Sequence, residues 1–234
     1  MNVVIGGGSG IGQAVAQILS GRTVVADRAG TEIKCDLTDA SSLTSLARDV
    51  DELDALVVTA GISPAMADAR TIFDVDLAGV ARVLDAFDHL VRPGVVAVCA
   101  ASMAGHLGSW TDEILEALDQ PLSCVDAGLT DDPATAYILA KLGVLRLVRR
   151  TARSWGARGA RIVSVSPGVI DTPMGRLELA DTEGTRAIVD ASPLGRAGRA
   201  DEIASVIRFL CSDEASYITG TDALVDGGSV AALS

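Results

Sequence analysis

Seven short apolar runs alternate along the chain with longer stretches of helical periodicity, and this alternation restricts the fold more than any other feature. Most of the runs are apolar at every position instead of alternating apolar and polar residues, which is typical of strands covered on both faces of a sheet. The predicted strands span residues 3–5, 23–26, 32–35, 55–58, 95–100, 161–165 and 223–225.

Helices are predicted between these strands, at residues 11–20, 41–50, 71–91, 133–155 and 201–211. Strand–helix alternation with right-handed crossovers predicts an α/β fold, a Rossmann-type doubly wound parallel sheet of about seven strands with helices on both faces. The length fits a single domain over residues 1–234. Two segments interrupt the alternation: a predicted insertion at about 107–132 and a predicted substrate loop at about 173–193.

A glycine-rich segment follows the first predicted strand and opens the first predicted helix. Glycine lets the backbone turn sharply and approach a pyrophosphate, whose charge then faces a helix N-terminus. The strict G-x-G-x-x-G fingerprint is absent, so a simple tight turn is the alternative. The position at the first strand–helix junction favours a dinucleotide. The candidate binding residues are Gly6, Gly8, Ser9, Gly10, Ile11 and Gly12.

An acidic residue ends the second predicted strand, where Asp27 is followed by Arg28. A carboxylate there can accept hydrogen bonds from both hydroxyls of an adenosine ribose and would repel a 2′-phosphate, which favours NAD over NADP. Arg28 supports the alternative, because a guanidinium could bind that phosphate. The glycine segment contains no basic residue, so we predict NAD(H). After the third strand, Asp36 and Leu37 are candidates to flank the adenine.

The composition excludes some functions and limits the side chains available for chemistry. With 19 Lys and Arg against 31 Asp and Glu, the net charge of −12 argues against nucleic-acid binding. No apolar stretch approaches the ~18–20 residues of a membrane span, and no signal peptide is recognisable, so we predict a cytoplasmic protein without a membrane partner. The chain has one Asn, two Lys, two Tyr and two His, and two His are too few to favour a metal site built from imidazoles.

Tyr137 and Lys141 are four positions apart in the helix predicted to start at Pro133, so both project from one face. A phenol has a pKa of about 10 and is a poor base near neutral pH, but a nearby ammonium favours the phenolate. Such a phenol can exchange a proton with an alcohol or a carbonyl oxygen while hydride is transferred. Ser102 ends the fifth predicted strand, where ligands bind in such sheets, and its hydroxyl can donate to the substrate oxygen.

The sequence resembles the short-chain dehydrogenase/reductase family over essentially its whole length. The resemblance rests on the glycine segment, Asp27, Asp36-Leu37, Ala60-Gly61, Ser102-Met103-Ala104-Gly105, Tyr137-x-x-x-Lys141, Ser166-Pro167-Gly168 with Thr172, and the C-terminal residues 217–228. It is most like the 3α-hydroxysteroid dehydrogenase/carbonyl reductase subgroup, but coniferyl-alcohol dehydrogenases share the same features. The resemblance therefore leaves the substrate open.

The resemblance implies roles for particular residues. Ser102, Tyr137 and Lys141 match the catalytic residues of the family, and Tyr137 and Lys141 also match positions beside the nicotinamide ribose. Further cofactor contacts are implied at Ala60, Gly61, Pro167, Gly168, Ile170 and Thr172.

Asp76 is the main departure from the family pattern. It stands at the position of a fourth catalytic residue, an Asn that serves largely through its backbone carbonyl. An Asp could keep that carbonyl while adding a charge, and we expect the carbonyl to matter most. We therefore count Asp76 among the candidate catalytic residues.

The sequence thus predicts an NAD(H)-dependent oxidoreductase that interconverts a secondary alcohol and a ketone, or an alcohol and an aldehyde. Its substrate is expected to be hydrophobic, such as a 3-hydroxysteroid or an aromatic carbonyl compound, because Leu177, Leu179, Ile188 and Val189 offer apolar contacts in the substrate loop. The alternative is a non-catalytic NAD-binding sensor or partner-binding protein on the same scaffold, a reading that only Asp76 favours.

A short helix after Thr111 is predicted within the insertion, with Ile114, Leu115 and Leu118 on its apolar face. A helix of this length is not stable alone, so it must pack on the rest of the chain. In the family, the helices at 71–91 and 133–155 commonly form a four-helix interface between subunits. An inserted helix beside them should block that contact, and we predict a homodimer through another surface.

Overall fold

The computed structural model describes residues 1–181 and 183–233, and these contain a central sheet of seven parallel strands in the order β3-β2-β1-β4-β5-β6-β9. Two further short strands, β7 and β8, pair with each other in a small sheet. The strands are β1 (Asn2–Ile5), β2 (Thr23–Asp27), β3 (Ile33–Lys34), β4 (Ala55–Val58), β5 (Val96–Ala100), β6 (Arg161–Pro167), β7 (Ile170–Asp171), β8 (Gly198–Arg199) and β9 (Asp222–Val225).

Helices cover both faces of the sheet. On one face, α1 packs beside α10, and on the other α2, α4 and α7 form the layer. The helices are α1 (Gly10–Ile18), α2 (Ala40–Arg48), α3 (Ala69–Phe73), α4 (Gly79–Phe87), α5 (Asp112–Leu118), α6 (Pro121–Cys124), α7 (Pro133–Gly156), α8 (Pro173–Asp181), α9 (Glu183–Ala191), α10 (Ala200–Cys211) and α11 (Ser229–Leu233).

The uninterrupted apolar runs are explained by the two cores that the sheet separates. Successive side chains of a strand point to opposite faces, so Val3 and Ile5 enter the core beneath α2, α4 and α7. Val4, between them, enters the core beneath α1 and α10. The predicted fold class is confirmed, and each of the seven predicted strands is present in the sheet.

The helix predicted at residues 71–91 is interrupted. It consists of α3, a π-helical turn at Asp74–Ala78, then α4 and a final 3-10 turn at Asp88–Leu90. A π turn inserts one extra residue into the helix and is frequent at functional sites. Here the turn contains Asp76, whose side chain points into the interior and is completely buried.

The two segments that interrupted the sequence pattern both contain helices. The insertion forms α5 and α6, and the predicted substrate loop forms α8 and α9. Thr111 occupies the position before α5, although its side chain makes no capping hydrogen bond. The predicted helical insertion before Tyr137 is therefore confirmed.

The insertion is attached to α7 by apolar and ionic contacts. Leu118 of α5 is fully buried in the core that α7 covers. The next residue, Asp119, accepts hydrogen bonds from Arg146 at 2.8 and 2.6 Å and pairs with Arg150. This contact supplies the packing that a seven-residue helix needs to be stable.

Among the described residues, no helix is long and apolar enough to cross a membrane.

We expect Leu118→Ala to lower the free energy of unfolding by about 2–5 kcal/mol, because it leaves a cavity between α5 and the core. Leu122 lies in α6 and is exposed, so Leu122→Ala serves as the control and should change stability by less than about 0.5 kcal/mol. Urea denaturation followed by circular dichroism measures both values. Equal losses in the two variants would contradict the role of Leu118 in docking the insertion.

Candidate active site

A pocket lies at the carboxyl ends of β4, β5 and β6. Because parallel strands all end at the same edge of the sheet, residues that follow different strands meet there. The pocket is closed on one side by α7 and on the other by the start of α8. Its lining residues are Ile11, Thr59, Gly61, Ile62, Ala100, Ala101, Ser102, Tyr137, Lys141, Pro167, Gly168, Ile170, Thr172, Met174, Gly175 and Glu178.

Helix α7 positions Tyr137 and Lys141 on the pocket wall. The helix begins at Pro133, and the side chain of Asp132 accepts a hydrogen bond from the Thr135 N–H at 2.9 Å, which caps its first turn. Lys141 is only 5% exposed, and its Nζ lies 5.3 Å from the centre of the Tyr137 ring. The one-turn spacing predicted from the sequence thus brings the two groups together.

Ser102 lies on the same pocket, after the end of β5. It is the residue before a 3-10 turn at Met103–His106, and its Oγ accepts a hydrogen bond from the Ala104 N–H at 3.1 Å. That bond orients the hydroxyl and leaves its proton available for another acceptor. Ser102 is buried apart from its surface on the pocket.

Asp76 contacts Lys141 from beneath the pocket floor. Its Oδ2 lies 3.0 Å from Lys141 Nζ, and its Oδ1 accepts a hydrogen bond from the Ile62 N–H at 2.8 Å. Oδ2 makes no hydrogen bond of standard geometry within the described part of the chain, so the contact with Lys141 is an ion pair. The carboxylate therefore links Lys141 to the loop that follows β4.

Burial and charge shift the pKa values of these groups in defined directions. Burial raises the pKa of the Tyr137 phenol, opposed by the Lys141 charge and supported by the charges of Asp76 and Glu178. Burial alone would lower the pKa of Lys141, but the neighbouring Asp76 outweighs it and the pKa lies above its ordinary value. Burial also raises the pKa of Asp76, against the effect of Lys141 and of the Ile62 N–H.

The predicted glycine segment forms a tight turn against the loop after β4. Gly6 has a φ of +90°, and a Cβ there would lie 2.2 Å from the Ala60 nitrogen. A Cβ on Gly12 would lie 2.2 Å from the Gly6 carbonyl oxygen. Glycine is therefore required at both positions by the close approach of backbone to backbone.

The start of α1 fits a pyrophosphate. Gly10 begins the helix with a φ of +52°, and the Ser9 side chain makes no capping hydrogen bond. The first N–H groups of a helix lack partners within the helix and attract anions. Ile11, in this first turn, reaches the pocket that contains Tyr137.

Asp27 lies next to the glycine turn at the end of β2. Its Oδ2 accepts a hydrogen bond from the Gly8 N–H at 2.9 Å, and Oδ1 is 3.4 Å from the Ala29 nitrogen. Arg28 is exposed to solvent. The arrangement fits an adenosine ribose in contact with the Asp27 carboxylate, beside the predicted pyrophosphate site.

The candidate adenine residues follow β3. Asp36 Oδ1 accepts hydrogen bonds from the backbone and hydroxyl of Thr38 at 2.8 and 2.7 Å. Leu37 is buried, and its carbonyl oxygen accepts a 3.3 Å hydrogen bond from Arg82. These residues lie outside the pocket around Tyr137. A single ligand would therefore have to extend along the sheet edge to contact both these residues and the pocket.

The remaining predicted cofactor residues are divided between two places. Ala60 packs on the glycine turn and donates to the Ile5 carbonyl at 3.1 Å. The others lie on the pocket itself: Gly61, Pro167, Gly168, Ile170 and Thr172. A Cβ on Gly61 would be 3.1 Å from Asp76 and 3.2 Å from Lys141, so a larger residue would disturb the ion pair.

Several pocket residues were not predicted from the sequence. The Thr59 hydroxyl donates to the carbonyls of Ile5 and Gly6 at 3.2 and 3.3 Å and so fixes the glycine turn. The sequence contains one signal for Thr59: it directly follows β4, at the point where the strand order reverses and ligands bind in such sheets. Ile62, Ala100, Ala101, Met174, Gly175 and Glu178 complete the set.

The sequence predicts apolar substrate contacts from four residues of the substrate loop. None of them lines this pocket: Leu177, Leu179, Ile188 and Val189. Because α8 begins at Pro173, its Met174, Gly175 and Glu178 share the face towards the pocket. Leu177 is exposed to solvent instead. The sequence pattern predicts no helix in this segment and therefore does not indicate which of its residues face the pocket.

Comparison with protein families gives two matches. A model described as Enoyl-(Acyl carrier protein) reductase matches residues 122–230, and one described as the NAD dependent epimerase/dehydratase family matches residues 3–168.

Among curated proteins, the short-chain dehydrogenase/reductase bsc3 of Alternaria brassicicola is 32% identical, and the match covers 99% of this chain and 96% of that protein. The NADP-dependent mannitol dehydrogenase of Aureobasidium melanogenum is 29% identical over 83% and 70% of the two chains.

Two comparisons involve hydroxysteroid dehydrogenases. The 3-alpha-hydroxysteroid dehydrogenase/carbonyl reductase of Comamonas testosteroni is 30% identical over 97% of this chain and 95% of its own. The solved structure of the 3-alpha-hydroxysteroid dehydrogenase from Pseudomonas sp. B-0831, complexed with NADH, superimposes with a TM-score of 0.88. It is 28% identical and covers 99% of this chain and 97% of its own.

The relatives from Alternaria brassicicola and Comamonas testosteroni are at least 30% identical and match the chain over nearly its full length. The chain therefore belongs to the short-chain dehydrogenase/reductase family, whose members are oxidoreductases that act on alcohols or ketones with a nicotinamide cofactor.

Proposed function

We propose that this protein is an NAD(H)-dependent enzyme that interconverts a hydrophobic secondary alcohol and its ketone, or an alcohol and its aldehyde. The observation that carries the proposal is the convergence of Ser102, Tyr137 and Lys141 on one pocket at the sheet edge. The glycine turn and Asp27 lie farther along the same edge.

The three side chains suit a proton transfer at the substrate oxygen. The Ser102 hydroxyl, oriented by the Ala104 N–H, would donate a hydrogen bond to that oxygen. Tyr137 would deliver the proton in reduction and remove it in oxidation, and Lys141 would stabilise the phenolate. The nicotinamide, when bound, supplies or accepts the hydride. Lys141 and Tyr137 would hold its ribose, while Pro167, Gly168, Ile170 and Thr172 would contact the ring.

The preference for NAD(H) is supported by the position of Asp27. Its carboxylate faces the glycine turn through the Gly8 N–H, where a 2′-phosphate would meet a negative charge. The NADH complex of the hydroxysteroid dehydrogenase from Pseudomonas sp. B-0831 agrees with this choice. The likeness to the NADP-dependent mannitol dehydrogenase supports NADP(H) as the alternative. If NADP(H) were the cofactor, Arg28 would bind its 2′-phosphate.

A hydrophobic carbonyl compound is the substrate class that the pocket and the relatives support. Apolar surface comes from Ile62, Ala101, Ile170 and Met174. The hydroxysteroid dehydrogenase/carbonyl reductase of Comamonas testosteroni points to a 3-hydroxysteroid or an aromatic ketone. A panel of ketosteroids, aromatic ketones and aryl aldehydes, followed by NADH absorbance, tests this. Tight NADH binding without oxidation of NADH by any of them would instead favour a non-catalytic NAD-binding protein.

We expect Tyr137→Phe to bind NADH like the wild type but to lower kcat by roughly 100-fold or more, because the proton donor is lost. The chain's other tyrosine, Tyr217, is fully exposed, so Tyr217→Phe is the matched control and should keep wild-type turnover. NADH fluorescence measures binding, and NADH absorbance measures turnover. A Tyr137→Phe enzyme with more than about a tenth of wild-type kcat would exclude Tyr137 as the acid–base residue.

Removing the Asp27 carboxylate should reduce the preference for NADH over NADPH. Loss of charged hydrogen bonds to the ribose corresponds to about 1.5–3 kcal/mol, so we expect Asp27→Ala to reduce the ratio of the two kcat/KM values by roughly 10–100-fold. Asp51→Ala, at an exposed site, is the control for the change in net charge. A wild-type preference for NADPH would contradict the proposal and assign the phosphate to Arg28.

We propose a homodimer that does not use the outer face of α7, because α5 covers part of that helix through Leu118 and Asp119. Multi-angle light scattering should give about twice the chain mass of 23.9 kDa. A tetramer would show that the insertion does not block the four-helix contact.

A further inference from the structure

We propose that Asp76 is a positioning residue that offsets the charge of Lys141 and thereby keeps Tyr137 as the neutral phenol at physiological pH. The site would then be prepared to give a proton to a carbonyl oxygen, and alcohol oxidation would require alkaline conditions. This inference rests on the proposed function of Tyr137 as the acid–base residue.

The ion pair between Asp76 and Lys141 is the basis of the inference. The two charged groups are 3.0 Å apart, and Asp76 is completely buried. Its other oxygen accepts the Ile62 N–H, so the carboxylate is held by a backbone hydrogen bond on one side and by the Lys141 charge on the other. Removing one partner of such a pair is strongly destabilising, because the other charge is then buried without compensation.

The charges that face Tyr137 come from three elements. Lys141, on the same helix, is the cation beside the ring. Asp76 approaches from the π-helical turn, and Glu178 lies on the same pocket from α8. One cation and two carboxylates therefore face Tyr137, and the Ser102 hydroxyl adds a hydrogen bond that lowers the pKa of Tyr137. Burial raises the pKa of Tyr137 and the Lys141 charge lowers it, while the charges of Asp76 and Glu178 act against Lys141 and so oppose formation of a phenolate.

An Asn at position 76 would keep nearly the same size but lose the charge, and its NH2 group would replace the oxygen that faces Lys141. Its side-chain oxygen could still accept the Ile62 N–H, but it could not neutralise the Lys141 ammonium. The Lys141 charge would then act on Tyr137 without opposition from position 76. Asp76→Asn therefore removes the carboxylate charge while keeping the contact with the loop after β4.

The consequence for the reaction follows from the proton balance. In reduction, the phenol gives its proton to the carbonyl oxygen as the carbonyl carbon gains hydride, so the neutral phenol is the active form. In oxidation, the phenolate removes the hydroxyl proton as the same carbon loses hydride. A raised Tyr137 pKa extends reduction to higher pH and moves the onset of oxidation to higher pH.

The two-tyrosine composition permits a direct test without substrate or cofactor. In a Tyr217→Phe background only Tyr137 remains, and ultraviolet absorbance of tyrosinate reports its ionisation alone. We expect its midpoint to lie above the ordinary value of about 10. Adding Asp76→Asn should lower that midpoint by about one pH unit or more. Circular dichroism at each pH defines the range in which both proteins are folded.

Asp85→Asn is the matched control, because Asp85 lies on α4 and is exposed to solvent. It removes the same charge and should leave the Tyr137 midpoint in place. If Asp76→Asn does not fold, Asp76→Ser takes its place in the experiment, because it also removes the charge and has a smaller side chain. An unchanged midpoint in the Asp76 variant overturns the proposal. So does a raised one, since it would show that the carboxylate serves mainly to keep Lys141 charged.

The pH dependence of turnover provides the second readout. With an active alcohol substrate, the rise of kcat/KM for oxidation should shift to lower pH in Asp76→Asn and stay in place in Asp85→Asn. A profile that does not move would contradict the proposal. Absence of turnover with every substrate would count against the proposed function, while the absorbance titration would still decide the effect of Asp76 on Tyr137.

Discussion

The backbone contact between Gly6 and Ala60 is the constraint on which the rest of the site depends. It joins the end of β1 to the loop after β4, where the strand order of the sheet reverses. The Thr59 hydroxyl strengthens it by donating to the Ile5 and Gly6 carbonyls. Because no side chain fits between these backbones, the start of α1 is brought against the sheet edge, and Ile11 reaches the pocket that Tyr137 and Lys141 line.

Burial of Lys141 imposes a second constraint, of electrostatic origin. An unpaired ammonium inside a protein is costly, and Asp76 offsets that cost from a π-helical turn in which one extra residue redirects the side chain inward. Gly61 leaves the space in which the two groups meet. The same carboxylate binds the Ile62 N–H, so the lysine, the loop after β4 and the turn between α3 and α4 form one connected unit.

Much of the fold was predictable because its signals are local. The apolar runs of β1, β4 and β5 indicated strands buried on both faces, and the spacing of Tyr137 and Lys141 within a helix indicated a shared face. The resemblance of the motifs to a known family pointed to Ser102, Asp27 and the segment from Pro167 to Thr172. Contacts between distant segments were not predictable in this way. His106, for example, lies within hydrogen-bonding distance of Ser166 and Asp222 at 3.2 and 3.0 Å, although Asp222 is 116 positions away.

The sequence by itself determined the order of strands and helices, the place of the glycine turn and the candidate chemical groups, because these depend on periodicity and on residue type at short range. Only the tertiary structure decided which face of α8 meets the pocket, so that Glu178 lines it and Leu177 does not. It also decided that the Asp76 side chain contacts Lys141, since the π turn that directs it inward has no signature in the apolar pattern. Such contacts depend on the packing of segments far apart in the chain, which local propensity does not specify.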